Sequence, residues 1–226
     1  MILYGVRRLA LAVPLLLGMS VLIFALMRLV PGDPAVTVLG YKATPEGVAA
    51  LRKAFHLDEP VAEQYLRWLG AAVRGDLGHD FRQNEPIGQM VLDRLPVTLE
   101  LTALAALCTA LIGVPLGLLA GGRRGGGADR AAMAVGLIGV SIPDFWLGIM
   151  LILGLSLGLG LLPSGGWVPF AESPVENLVH LTLPSLTLAV SRAAVLGRLT
   201  RAAVLDTMHR SFVHYARAKG LGERAI

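Results

Sequence analysis

The chain has 226 residues, 54% of them hydrophobic and only 16% charged, with a formal net charge of +4. Soluble domains carry about 25% charged residues, so this composition excludes an ordinary soluble protein and points to an integral membrane one. The basic residues lie beside apolar runs and form no soluble basic face, which argues against nucleic acid as a partner.

The run from Leu9 to Met27 carries no charge. At about 1.5 Å per residue it can cross a hydrocarbon core of about 30 Å. It is too long for the apolar part of a signal peptide, and "MRLVPGDPA" offers no convincing small-x-small cleavage site. The expectation is a retained first span over 9–29, kinked at Pro14.

Residues 31–95 read as a polar excursion. "VPGDPA" is turn chemistry. Thr44-Pro45-Glu46 has the marks of a helix start: a capping hydroxyl, a proline at the first position and an acid near the positive end. Val48, Leu51 and Phe55 follow at helical spacing. "VAEQYLRWLGAAV" predicts a second amphipathic helix with Val61, Tyr65, Trp68 and Leu69 on one stripe. "PIGQMVLDRL" predicts a short third helix leading into the membrane.

A second span is predicted over 98–121, a third over 131–155 and a weaker fourth over 178–199. "RRGGGADR" reads as a loop between the second and third. Pro143 marks a kink in the third, and the apolar run past Leu155 reads as interfacial or re-entrant. In "LPSGGWVPFAESP", Trp167 and Phe170 suit a water boundary. Cys108 sits in an apolar run and reads as packing.

Arg7 and Arg8 flank the first span. Arg123, Arg124 and Arg130 lie on the same side two crossings later, and Arg198, Arg201, Arg210, Arg217 and Lys219 return to it after the fourth. The positive-inside rule therefore places the amino terminus and the closing segment, 200–226, in the cytoplasm and 31–95 outside.

The sequence shows no phosphate-binding G-x-x-x-x-G-K-[ST] loop, no H-E-x-x-H and no cysteine pair. The histidines at 56, 79, 180, 209 and 214 are scattered. Ionisable residues at membrane depth are functional candidates by default. Asp144, directly after Pro143, is the strongest candidate for a transport pathway. Arg192 is the second, with snorkelling to the interface as its rival reading. Glu100 reads as interfacial. In the closing segment Leu205, Met208, Phe212, Tyr215 and Ala216 fall on one helical face, and Gly220 is a natural stop. Physics alone leaves two readings open, a basic helix lying on anionic lipid and a docking helix set in a partner's groove.

"RLVPGDPA", "LDEPVAEQYLRWL", "GDLGHDF", "LPVTLELTA", "SIPDFWLG", "LPSGG", "LTRAAVLDTM" and "ARAKGL" occur in this order along the chain. Together they resemble the inner-membrane permease subunit of bacterial ABC importers, in the dipeptide, oligopeptide and nickel group. The resemblance implies an all-α integral membrane fold, with about four of an expected six spans in this chain. On that expectation the chain is the amino-terminal part of such a permease.

The closing stretch resembles the family's cytoplasmic EAA loop. His214, Tyr215 and Ala216 stand at E-A-A, with Ala216 alone identical, and Gly220 stands at the glycine. The resemblance implies that Met208, Phe212, His214, Tyr215, Ala216, Lys219 and Gly220 dock an ATPase. It also implies a second similar permease, an external substrate-binding protein and a lipid bilayer as partners. No cofactor is expected in this chain, because ATP and magnesium would be bound by the ATPase. Peptide, nickel and glutathione systems share these motifs. From a different class, an ion-gradient-driven carrier would need midplane charges grouped in inverted repeats, and only Asp144 and Arg192 qualify.

Overall fold

The computed structural model describes residues 2–80, 85–122 and 125–222 and is helical apart from turns and one isolated bridge between His79 and Pro86. Two compact units are present, Met1–Asp93 and Arg94–Ile226, and the division falls within one long helix.

The first unit opens with α1 (Ile2–Leu29), which runs unbroken through Pro14. Most of its large apolar side chains are exposed, as suits a helix whose solvent is lipid. α2 (Pro34–Leu39), α3 (Pro45–Ala54) and α4 (Val61–Val73) follow. Asp33 caps α2 by accepting from the Ala35 amide at 2.9 Å and pairs with Arg52 of α3 at 2.7 Å. Thr44 caps α3 as expected, accepting from Gly47 N at 3.2 Å.

α4 leans on the last turns of α1. The hydroxyls of Ser20 and Tyr65 lie 2.8 Å apart, the Phe24 and Tyr65 rings meet edge to face at 5.4 Å, and Arg28 donates to Gln64. The predicted apolar stripe needs correction here. Val61 and Trp68 are exposed, and the buried residue of α4 is Gln64. Its amide nitrogen donates to the carbonyls of Leu57 and Glu59 at 3.2 and 2.7 Å. A buried amide is tolerated because its polar atoms find partners.

The second unit is built from the membrane part of α5 (Ile87–Gly122), then α6 (Gly127–Ser141), α7 (Asp144–Leu151) with a π-helical continuation over Ile152–Gly158, α8 (Pro174–Met208) and α9 (Ser211–Ala218). The short helix predicted before the second span is continuous with it, through Pro96 and Pro115. α6 begins inside the stretch predicted as a loop.

Small residues hold these helices together. Gly113, Gly117 and Gly121 of α5 lie on one face, four apart. A Cβ on Gly117 would come within 2.4 Å of Thr200 Cβ and 2.6 Å of Gly197 O, and one on Gly113 within 2.7 Å of Ala193 O. Only glycine admits so close an approach, which is how helices pack where the surrounding lipid gives no hydrophobic drive. Contacts advance together along both helices, from Gly113–Ala193 to Gly121–Val204, so α5 and α8 run parallel. On α6, Gly136 meets Ala194 and Gly139 meets Val190, so α6 runs antiparallel to α8, while on α7 Gly148 faces Thr187.

Among the described residues, three helices are long and apolar enough to cross a membrane: Leu3–Leu29, Ile87–Gly122 and Pro174–Met208. A fourth crossing exists if Asp129–Ser141 and Asp144–Gly158 are one broken span. These two pieces meet at 97°, a far sharper turn than a kinked but continuous third span. Pro143 is the cause: it disfavours helical backbone at Ile142, which is extended with ψ 123°.

Candidate functional site

The break at Pro143 makes Asp144 the first residue of α7, where unsatisfied backbone N–H groups favour a carboxylate. α8 supplies its partners. Ser191 Oγ donates to Asp144 Oδ1 at 2.9 Å, and Arg192 reaches Oδ2 at 3.5 Å while donating to Leu188 O at 2.6 Å. The two candidate pathway residues are thus brought together, with Arg192 also bonded to a carbonyl one turn back on its own helix. Both remain open, with side chains 41% exposed for Asp144 and 56% for Arg192. They line a groove of about 450 Å³ together with Val140 of α6 and Val195 and Leu199 of α8. A charge pair half-exposed among apolar spans faces water or protein, because lipid would penalise it.

Glu100 is more than interfacial. One of its carboxylate oxygens accepts from Trp167 Nε1 at 2.9 Å and from Asn177 Nδ2 at 2.7 Å, and Asn177 also donates to Val168 O at 2.7 Å. Asn177 is only 1% exposed. This clasp ties α5, the 159–173 loop and the start of α8. Nearby, Gly166 holds φ +95°, and the His180 ring lies 3.2 Å from where its Cβ would stand.

A second Asp–Arg pair lies toward the other end of α8. Arg201 grips Asp129 with two parallel bonds, Nε to Oδ1 at 2.6 Å and Nη2 to Oδ2 at 2.8 Å, and the Gly125 amide donates to Oδ2 at 2.9 Å. The Asp129 side chain is 7% exposed. Asp129 was passed over in the sequence because it stands in a stretch that reads as loop, and Arg201 because it reads as one of several cytoplasmic charges.

The closing segment is two helices, and the predicted stripe from Leu205 to Ala216 does not lie on one of them. α8 ends at Met208, His209 and Arg210 form the break, and α9 starts at Ser211. Met208 and Ala216 are half-buried, whereas Phe212 and Tyr215 are 60% and 63% exposed. Val213, which the pattern missed, is the inward anchor at 2% exposure. His214 is exposed, Lys219 Nζ sits 4.6 Å over the Tyr215 ring, and Gly220 ends the helix with φ +82°. Among the described residues no group of three or more His, Cys, Asp or Glu could hold a metal ion.

Residues 113–226 match the model of the binding-protein-dependent transport system inner membrane component, and residues 1–102 match that of the amino-terminal part of the same membrane component. The chain belongs to this family. It is 39% identical over 220 residues, 97% of this chain and 70% of the relative, to a protein proposed as a peptide transport system permease in Brucella abortus. It is 34% identical over 226 residues to the oligopeptide transport system permease protein of Bacillus subtilis, covering 99% of this chain and 72% of that one. It is 32% identical over 247 residues to the dipeptide transport system permease protein of Alkalihalophilus pseudofirmus, with 100% and 74% covered. The chain is therefore a transmembrane permease subunit of an ABC importer, a multi-pass protein of the inner membrane and a transport subunit, not an enzyme.

Proposed function

We propose that this permease subunit imports dipeptides and oligopeptides, and that α9 is its contact with a cytoplasmic ATPase. The observation that carries the coupling half is the two-sidedness of α9: Val213 is buried while Phe212 and Tyr215, neighbours at i and i+3, stand exposed. A helix anchored on one side and apolar on the other suits a groove in a partner. The permease has no nucleotide-binding loop, so energy from ATP must enter through a contact that differs between two states. Met208, His214, Ala216, Lys219 and Gly220 complete that surface. ATP and magnesium belong to the ATPase.

The peptide half is supported by the relatives' names and by the chemistry of the groove. Asp144 and Arg192 offer one carboxylate and one guanidinium, which complement the ammonium and carboxylate ends of a short peptide. The remaining partners are a second, similar permease and an external substrate-binding protein. The amino terminus and 200–226 are cytoplasmic and 31–95 is external. The parallel run of α5 and α8, with α6 antiparallel, fits crossings that alternate in this way.

The test is co-expression of the permease with the ATPase, sister permease and binding protein of its own system. Phe212→Asp is expected to abolish co-purification of the ATPase and uptake of labelled dipeptide into vesicles. ATPase retained at wild-type level, or uptake that responds to nickel and not to peptide, contradicts the proposal.

A further inference from the structure

The two Asp–Arg pairs join the same two limbs at different heights. Asp129–Arg201 holds the amino end of α6 to the last turns of α8, and Asp144–Arg192 joins α7 to the middle of α8. The stretch of α8 from Gly197 to Val204 also presses on Gly117 and Gly121 of α5. Three helix ends therefore converge immediately before the break at His209–Arg210, beyond which α9 begins.

We infer that Asp129 and Arg201 are positioning residues that pass a displacement of α9 through α8 to α6, and so to the bend at Pro143 and the groove beside Asp144. The inference rests on the reading of α9 as the ATPase contact. Two parallel N–H···O bonds resist rotation of α8 about its axis as well as sliding, which a single contact or an apolar packing pair would not. The Gly125 amide fixes the carboxylate from the other side, so the fork pulls on the loop before α6 and not on a free side chain. Without the fork, a displacement of α8 would pass to α5 through the glycine seam and α6 would be left behind. With the fork, α6 becomes a stiff arm, clamped at Asp129 and hinged at Pro143. The motion then arrives where Asp144 meets Ser191 and Arg192.

The test is a double-mutant cycle in the complete transporter, with Asp129→Asn and Arg201→Gln singly and together. Two quantities are read: capture of the ATPase, and peptide transported per ATP hydrolysed by the assembled complex. ATPase capture is expected in all variants. The transport ratio is expected to fall about ten-fold in each single variant, within the usual range of coupling effects, and no further in the double variant. Arg201→Lys keeps the charge but not the fork, and is expected to fall between wild type and Arg201→Gln. If yield falls while the ratio stays at the wild-type value, the pair only stabilises the fold and the inference is overturned; the same follows if the single effects multiply in the double variant. Absence of ATPase capture by the wild-type permease overturns the reading of α9 itself, and is seen before the cycle is scored.

Discussion

The clamp and the groove use the same two residue types to opposite ends. Asp129–Arg201 has a buried carboxylate, is two-pronged and is tied to a backbone amide; Asp144–Arg192 is longer, half-exposed and shared with a serine. A two-pronged fork holds one geometry, because both of its bonds form only when the planar guanidinium and carboxylate face each other. A loose pair beside open volume can exchange its partner for a ligand at small cost. The same chemistry, sorted by burial, gives a structural coupling element at one height of α8 and a candidate recognition element at another.

This contrast can be broken by disturbing what surrounds the clamp. The largest effect is expected from Gly117→Val, because even the first carbon would stand 2.4 Å from Thr200 Cβ. Overpacking of this kind costs about 1–3 kcal/mol or more, and the α5–α8 seam should open, lowering the melting temperature in detergent. Gly122→Ala meets nothing within 4 Å and should melt like wild type. The clasp at Glu100 comes next. Glu100→Gln weakens two charge-assisted hydrogen bonds at a cost of about 1.5–3 kcal/mol, with most of the loss in the thermal stability of the second unit. Asp144→Asn should barely alter melting yet reduce peptide uptake, since its carboxylate is half-solvated in the resting structure. Equal destabilisation by Asp144→Asn and Asp129→Asn would erase the distinction between the two pairs.

The smallest expected effect concerns pH and the first unit. Burial pushes Asp33 upward, but the Ala35 amide and the Arg52 guanidinium outweigh it and hold its carboxyl below the ordinary value. Burial likewise raises Glu59, and Arg67 and His56 more than reverse it. Both groups are more acidic folded than unfolded, so their contribution is full above the ordinary carboxylate range, about pH 4, and is lost as pH falls through the lowered folded values. The hydrogen-exchange protection factors of α3 and α4 should therefore fall below about pH 4, and Arg52→Gln with Arg67→Gln should flatten that dependence.

How much of this was legible follows from the range of each signal. Apolar runs and the Thr44 cap are local and were readable, and Pro143 was readable as a kink but not as the 97° break it makes. Asp144 was readable too, because a charge in an apolar run needs no partner to be noticed. Gly113, Gly117 and Gly121 form a G-x-x-x-G-x-x-x-G series, a close-packing pattern that the uncharged second span concealed, and its partner lies some 80 residues away, beyond what pattern can show. Asp129 and Glu100 gained their roles from residues far along the chain, Arg201 for the one and Trp167 and Asn177 for the other, a range that pattern does not reach. The stripe drawn through Leu205–Ala216 failed for a different reason: periodicity assumes one helix, and the break at His209–Arg210 changes the phase, turning Val213 inward and Phe212 and Tyr215 outward.

The most direct measurement places spin labels at Val140 of α6 and Leu199 of α8, which both line the groove, in the assembled transporter. Their separation is followed on ATP binding, with and without Asp129→Asn. A distance change in the wild type that disappears in the variant, while the ATPase remains bound, is the predicted result. An identical change in both would show that movement reaches the groove without the clamp, and would contradict the account.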